Sequence, residues 1–541
     1  MQDGMRLRDP ITYEVVVNAL SAIPHEMSIR LMRSANSPIF RETMEFSTAL
    51  CLVDGTVVAQ GVTLPVHVGA LPAALPMALK EVKEQWKPGD VLIFNDPEVG
   101  GLHLPDFFVL MPIFVQGNLV GLSASTGHHT DVGGRVPGGH AADSKSIFEE
   151  GLRVAPIKLW RAGELVPDVA SLLRKNCRQP QVFLDDLAAQ RAACEAGARG
   201  FVELCERFGI SLVQKVMGEY LDYTAELFMA RLNQIPAGVY EFEDYIEWLD
   251  DQKVTVRCKV ESGNGLLKFD FAGSSPAVDF AINCPFTYTQ AAVATVLLGI
   301  LGEGVPLNSG LFRDFTVTAP EGTVVSWRMP HACAARGVTM YRICDAVAGA
   351  LAKAIPDRVP AASEGGVTLL TIAGSDTGRY FNFFDAISGS WGGRNGANGL
   401  TGFSSPTTNN RNYSVEMVER EYPIRVTEYQ IEPDAFGAGR YRSGYALRRT
   451  YELLADEALV VVRADRQRFR PWGLAGGTDG TLGCTRIVRA DGSVEVMASK
   501  FGDMLRRGDR LEILTPSGGG YGVKVADEPA PDHALGKRQK A

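Results

Sequence analysis

No GxxxxGK(S/T) loop and no dinucleotide-binding glycine fingerprint occurs in this chain of 541 residues, so it has no evident means of binding ATP or NAD by itself. There is no GxSxG elbow, and no cysteine stands in the context of a nucleophile. Cysteine itself is sparse. The nine residues are odd in number, form no CxxC pair and lie in apolar runs such as "ALCLV" and "RICDAV". That usage predicts reduced, mostly buried thiols in a reducing compartment. Long apolar runs are missing too: "AAVATVLLGIL", from Ala291, is too short to span a bilayer. The opening "MQDGMRLRDP" is polar and leads into a helical pattern without a cleavage site, so a cytoplasmic location is expected. Positive charge is in slight deficit, with 54 Lys and Arg against 63 Asp and Glu. The net charge of −9 and the lack of a basic patch, apart from "GKRQKA" at the end, argue against a nucleic-acid partner.

A hydrophobic share of 45% with 22% charged residues is that of an ordinary globular protein, and the length implies two to four domains. Helical spacing marks the first forty residues, "LPAALPMALKEVKEQW", 184–232, 287–301 and 339–354. Two hairpins are expected. One is "FSTALCLVDGTVVAQ", turning at Asp54-Gly55 with both residues at positive φ; the other is "FFVLMPIFVQGNLVGLSAS", turning at residues 116–118. Strands dominate from Gly238 and again from Ile424. The fold class expected is α+β, multi-domain, with mixed sheets and helical segments. Divisions are expected at 1–180, 181–235, 236–423 and 424–523, with a disordered tail at 524–541.

Histidine is also scarce, yet four of the eight (His103, His128, His129, His140) fall within residues 103–140, among Asp96, Asp106, Asp131 and Asp143. Imidazole with carboxylate suits Zn²⁺, Mn²⁺ or Fe²⁺. The second hairpin returns His128 beside His103 and Asp106, so a metal site is expected at the ends of that hairpin. Three protein ligands with open positions is a catalytic pattern. His129, one residue on, should face away and support the site from behind. Asp131 or His129 could serve as general base. His140, in "PGGH", is read as structural or substrate-facing. Glu42 and Glu45, ahead of the first hairpin, are candidates for an acidic fourth ligand. "SGGGYG" (517–522) reads as a tight turn or close packing, and "GSWGGRNGANG" as a flexible loop over a site, with Arg394 able to hold an anion.

The strings "NDPEVGGLHLPDFFVLMPIF", "GHHTDVGGRVPGG", "FAGSSPAVDFAINCPFTYT", "GSWGGRNGANG" and "TPSGGGYG" recur in order across nearly the whole chain. In them the sequence resembles the hydantoinase B family. That family comprises the B components of ATP-dependent hydantoinases, the matching half of 5-oxoprolinase, the β subunit of caprolactamase, and related subunits of acetone and acetophenone carboxylases. The resemblance implies a divalent metal, Zn or Mn, on His103, Asp106 and His128. Glu45 of "EFS" takes the place of the family's usual aspartate as the last ligand. The resemblance also implies a hetero-oligomer with a hydantoinase A-type ATPase subunit of actin-like fold, which binds the ATP. The activity implied is hydrolysis of a cyclic amide. Alternatives are ketone carboxylation and a non-catalytic scaffold.

Overall fold

The computed structural model describes residues 9–524 apart from 63, 83, 140, 248–251, 264, 404, 406, 410 and 411. His140 and all but the first residue of the expected tail lie outside the described residues.

Asp9 starts the first helix, α1 (Pro10–Ser34), by accepting hydrogen bonds from the backbone N–H groups of Ile11 and Thr12, with proline in the first turn. An antiparallel sheet of seven strands follows: β1 (Phe46–Cys51), β2 (Val57–Val62), β3 (Val91–Phe94), β4 (Asp106–Val115), β5 (Asn118–His128), β6 (Ile157–Arg161) and β7 (Glu164–Leu165). Their order is β2-β1-β5-β4-β3-β6-β7. The turn between β4 and β5 is tighter than expected. Val115 pairs with Asn118, and only Gln116 (φ 50°) and Gly117 (φ 82°) lie between them, both left-handed. The β1–β2 turn departs the other way. Only Gly55 has positive φ, because the Asp54 carboxylate caps Thr56 N–H (2.9 Å) and the loop closes as a longer turn through Gly55 N–H to Leu52 C=O.

Alternation along β4 and β5 gives the sheet two different faces. Residues 107, 109, 123 and 125 face α1 and a long helix, α4 (Pro180–Phe208), where Gln190 donates to Ser125 Oγ and to Phe107 C=O. The helical stretch expected at 184–232 is two helices. Gly209 (φ 85°, ψ 141°) separates α4 from α5 (Ile210–Leu232). The smaller α3 (Pro167–Asn176) precedes them. Residues 106 and 128 face the opposite way, toward α2 (His67–Glu81), α6 (Phe286–Leu301) and α7 (Arg336–Ala352). Helix α7 also packs on the second sheet, β8 (Gly238–Glu247), β9 (Lys253–Gly263), β10 (Leu266–Asp270) and β11 (Thr316–Thr318), in which only β10 and β11 run parallel.

Two further antiparallel sheets complete the fold. One joins 368–376, 379–387, 457–463 and 500–506, and so crosses position 423; the other joins strands from 424–432 to 510–514. The architecture is therefore mixed α+β with several sheets and two apolar cores, one for the N-terminal and central parts and a smaller one near the C-terminus.

The glycine-rich strings lie between the C-terminal elements, and "GSWGGRNGANG" is not a flexible loop. Gly393 N–H bonds Gly519 C=O (2.9 Å) and Gly399 N–H bonds Arg442 C=O (2.7 Å). A Cβ on Gly392 would lie 2.1 Å from Ala361 O, and one on Gly519 2.1 Å from Trp472 O. Glycine is required there because backbone packs on backbone. All nine cysteines are free thiols, seven of them buried.

Candidate metal centre

Asp106 opens β4 and His128 closes β5, and the two are paired directly across the ladder. A turn closed by Asp106 N–H to His103 C=O (3.0 Å) carries His103 to the same point. His103 Nε2, Asp106 Oδ1 and His128 Nδ1 form a triangle with sides of 3.0, 2.9 and 3.1 Å, and all three residues are buried.

The protonation pattern follows from the partners. His103 Nδ1 lies 3.3 Å from Ala334 C=O, which can only accept, so Nδ1 carries the proton and Nε2 presents its lone pair inward. Burial, reinforced by the Arg336 guanidinium, holds the His103 imidazole neutral, with its pKa down to about 3. Burial opposes ionisation of Asp106, but His103, Arg336 and its hydrogen bonds keep the carboxyl well below its ordinary range. One neutral imidazole lone pair and one carboxylate thus converge with a second imidazole nitrogen. At most one proton can lie among the three atoms, and a divalent cation would satisfy them all. The mixed imidazole and carboxylate donor set fits a divalent transition metal such as Zn²⁺ or Mn²⁺.

Residues from distant segments hold this triangle. Arg336, at the start of α7, donates through Nη2 to Asp106 Oδ2 (2.7 Å) while its guanidinium lies over the Tyr288 ring. Glu150 accepts from the N–H groups of Cys333 and Ala334, fixing the carbonyl that receives His103. Arg463, at the end of a C-terminal strand, donates to that same carbonyl (3.0 Å). His67, at the start of α2, bonds Ser47 Oγ on the metal-facing side of the sheet (3.1 Å). Burial depresses His67 to about 4, with the charges of Asp106 and Arg336 acting on it. Sequence reasoning missed Arg336, Arg463, Glu150 and His67. For His67, a lone imidazole in the apolar "LPVHVGALP" was the one available signal.

Two expectations are corrected. His129 does turn away, but into an aromatic box of Phe40, Phe107 and Phe183. Its Nε2–H donates to Gln190 Oε1 (2.9 Å), its Nδ1 is enclosed without a partner, and burial lowers its pKa. Asp131 accepts four hydrogen bonds, from Gly133 N, Gly138 N, Arg178 N and Arg178 Nη1, at 2.9–3.1 Å. Neither side chain is available as a general base; Asp131 ties loops together. Glu45, just ahead of β1, accepts His128 N–H (3.0 Å) through its backbone carbonyl. Its charge acts on Arg463, Tyr341 and Tyr413. Arg394 is exposed on a turn closed by its own pairing with Ala397.

Residues 9–524 match the family model described as hydantoinase B/oxoprolinase. The B component of a putative D-/L-hydantoinase from Pseudomonas sp. (strain NS671) is 31% identical, over 96% of this chain and 91% of that protein. The solved structure of ATP-dependent caprolactamase from Pseudomonas jessenii superposes with a TM-score of 0.90 at 28% identity, covering 96% of this chain and 92% of the other. Nucleotide-free acetone carboxylase shares the fold, with a TM-score of 0.89 at 18% identity over 95% of this chain and 76% of that one. With a family match over nearly its whole length, and relatives of known kind along that same length, this chain belongs to the hydantoinase B/oxoprolinase family.

Proposed function

We propose that the chain is the metal-bearing subunit of an ATP-dependent cyclic-amide hydrolase, of the hydantoinase, oxoprolinase or lactamase kind. The observation that carries this reading is the buried triangle of His103 Nε2, Asp106 Oδ1 and His128 Nδ1, in a chain aligned end to end with a hydantoinase component and a caprolactamase. Glu45 is the proposed fourth ligand. A Zn²⁺ or Mn²⁺ ion there would supply Lewis acidity, making hydroxide available near neutral pH.

An amide resists hydroxide because attack forfeits its resonance. ATP removes that obstacle if the carbonyl oxygen is first phosphorylated, leaving a carbon with a good leaving group. This chain lacks a nucleotide motif, so the phosphorylation is assigned to a partner ATPase subunit of actin-like fold in a hetero-oligomer. The residues here have other tasks. Arg336 holds Asp106 through Oδ2 and leaves Oδ1 to face the imidazoles. The Ala334 carbonyl fixes the His103 tautomer, a support of the kind that usually orients metal-ligating histidines. Phe384 stacks on His128 (5.8 Å) and keeps water from that side. Free thiols throughout fit a cytoplasmic site of action.

The test is metal analysis of the purified complex together with ATP-dependent ring opening of hydantoin, 5-oxoproline and lactams. Roughly stoichiometric Zn or Mn, and loss of both metal and turnover in His103→Ala, are expected. A metal-free complex whose His103→Ala form keeps full activity refutes the reading. Strict bicarbonate dependence with a ketone substrate would instead favour the carboxylase alternative, which has a likeness of fold behind it.

A further inference from the structure

Seven ionisable side chains meet where α7 and β8 approach the sheet that contains 457–463 and 500–506. Asp244 and Glu247 come from β8, Arg342 and Asp345 from α7, and Asp465 and Arg466 from the segment just past 463; Lys500 opens the strand at 500–506. None is more than 11% exposed. Arg466 forks onto both oxygens of Asp244 (2.9 and 2.7 Å), and its Nη2 also reaches Asp345 Oδ2 (2.9 Å). Arg342 Nη1 donates to that same Asp345 oxygen (2.6 Å), while its Nε lies 3.4 Å from Asp465 Oδ2. Lys500 Nζ lies 3.3 Å from Asp465 Oδ1 and donates to the Glu247 carbonyl (3.3 Å). Arg466 has a left-handed backbone (φ 61°), which a residue other than glycine keeps only where its surroundings over-determine it.

Four carboxyl groups thus face three cations, Arg342, Arg466 and Lys500. With every group ionised, one negative charge is left unmatched among the described residues. The flanking elements add no buried cation to the cluster. β9 turns Val254, Val256, Cys258 and Val260 inward, and α6 has no charged residue. Arg468 and Arg470 are exposed, and Arg468 meets Glu247 through its backbone N–H. Arg463, opposite Lys500 in the ladder, donates to Ala334 C=O. Burying an excess charge is costlier than taking up a proton. Asp345 is the group placed to hold it: both arginines bond Oδ2, and among the described residues Oδ1 accepts no hydrogen bond, whereas Asp244 has both oxygens engaged.

We infer that the cluster is a proton-operated clasp, which holds a proton on its surplus carboxyl, Asp345, and loosens the C-terminal sheet from α7 and β8 when that proton leaves. Burial drives Asp345 up to about 7; Arg342 opposes the rise, and Asp244 and Asp465 reinforce it. An aspartate in an unfolded chain titrates near 4 (about 3.9). The folded chain therefore keeps, between about 4 and 7, a proton that the unfolded chain has lost. The stabilisation is full below that window and is lost as pH rises through 7. The same helix begins with Arg336, which grips Asp106, so the clasp also braces the candidate metal ligands. The inference itself does not depend on the hydrolase reading.

The experiment is amide hydrogen exchange, read by mass spectrometry on the full-length chain at pH 6 and pH 8 and corrected for the intrinsic rate at each pH. Protection in 457–463, in 500–506 and in the second half of α7 should be about tenfold higher at pH 6 than at pH 8, the effect of one proton held near pH 7. Asp345→Asn leaves three carboxyls against three cations and mimics the protonated form, so its protection in those segments should be the same at both pH values. Protection in the unmodified chain that does not change with pH overturns the clasp, and so does a tenfold change that survives in Asp345→Asn. Should that variant not fold, Asp244→Asn restores the same charge balance and takes its place, with the same two outcomes. Should neither fold, the unmodified chain decides by segment: a pH dependence confined to these elements supports the clasp, and one shared equally by β4 and β5 refutes it.

Discussion

Replacing His129 with phenylalanine separates two roles that sequence alone leaves merged. In the structure His129 has one hydrogen bond, to Gln190 Oε1, and three aromatic neighbours. The substitution strands Gln190 Oε1, a loss of about 1–3 kcal/mol for a buried acceptor. It also removes the enclosed, unpartnered Nδ1, a gain of similar size, about 1–3 kcal/mol. The larger ring crowds the box by about 1–3 kcal/mol. The net effect is a destabilisation of about 1–3 kcal/mol, which leaves the folded state dominant in a protein of ordinary stability, about 5–15 kcal/mol. Urea unfolding measures that cost. Turnover in the assembled complex should fall by no more than about threefold, since general-base catalysis typically contributes about 10²–10⁴-fold. A folded, metal-replete His129→Phe complex that loses two orders of magnitude in turnover would refute the assignment.

Arg336→Met, which releases Asp106 Oδ2, should weaken metal affinity by about 10–100-fold, read by competition with a chelating dye. Asp131→Ala removes a buried carboxylate that pairs with the part-exposed Arg178 and unties two glycine N–H groups. It should cost about 1–3 kcal/mol in unfolding free energy, whereas a general base would lose turnover without losing stability. His67 has a folded pKa near 4 against about 6.5 unfolded, so the unfolded chain binds the extra proton between those values. Its contribution, on the order of 3 kcal/mol, is present above pH 6.5 and lost as pH falls toward 4; unfolding curves at pH 7.5, 6 and 5 should show a shallower slope for His67→Gln. Gly392→Ala should destabilise by about 1–3 kcal/mol or more through its clash with Ala361 O. Gly337→Ala, in open space on α7, should be neutral or better, and equal melting temperatures for the two would contradict the packing account.

The trio was legible because a hairpin is a local device. A glycine-bearing turn sets the register, the register puts Asp106 opposite His128, and strand alternation sends His129 to the other face. What sequence could not supply comes from segments hundreds of residues apart. Arg336, Arg463 and Glu150 reach the site through tertiary packing, which leaves no periodic trace. Asp131 looked chemical because it sits beside two histidines, and only its four donors reveal a bracing role. The string "GSWGGRNGANG" looked mobile for a related reason: composition cannot tell a backbone that needs freedom from one that needs proximity. The helical stretch at 184–232 read as continuous because its one break, at Gly209, costs an otherwise helical pattern only a single residue.

The Ala334 carbonyl, shared by His103 and Arg463, also sets a timetable for synthesis. The hairpin bearing the three candidate ligands leaves the ribosome some 335 residues before Arg463 does. At roughly 5–20 residues per second, that is about 15–70 seconds during which a nascent chain presents His103, Asp106 and His128 without the arginines that enclose them. An ion captured in that interval would meet an open, water-filled hairpin whose selectivity is that of imidazole and carboxylate alone. Whichever metal is abundant near the ribosome could then be trapped as the C-terminal half closes over it.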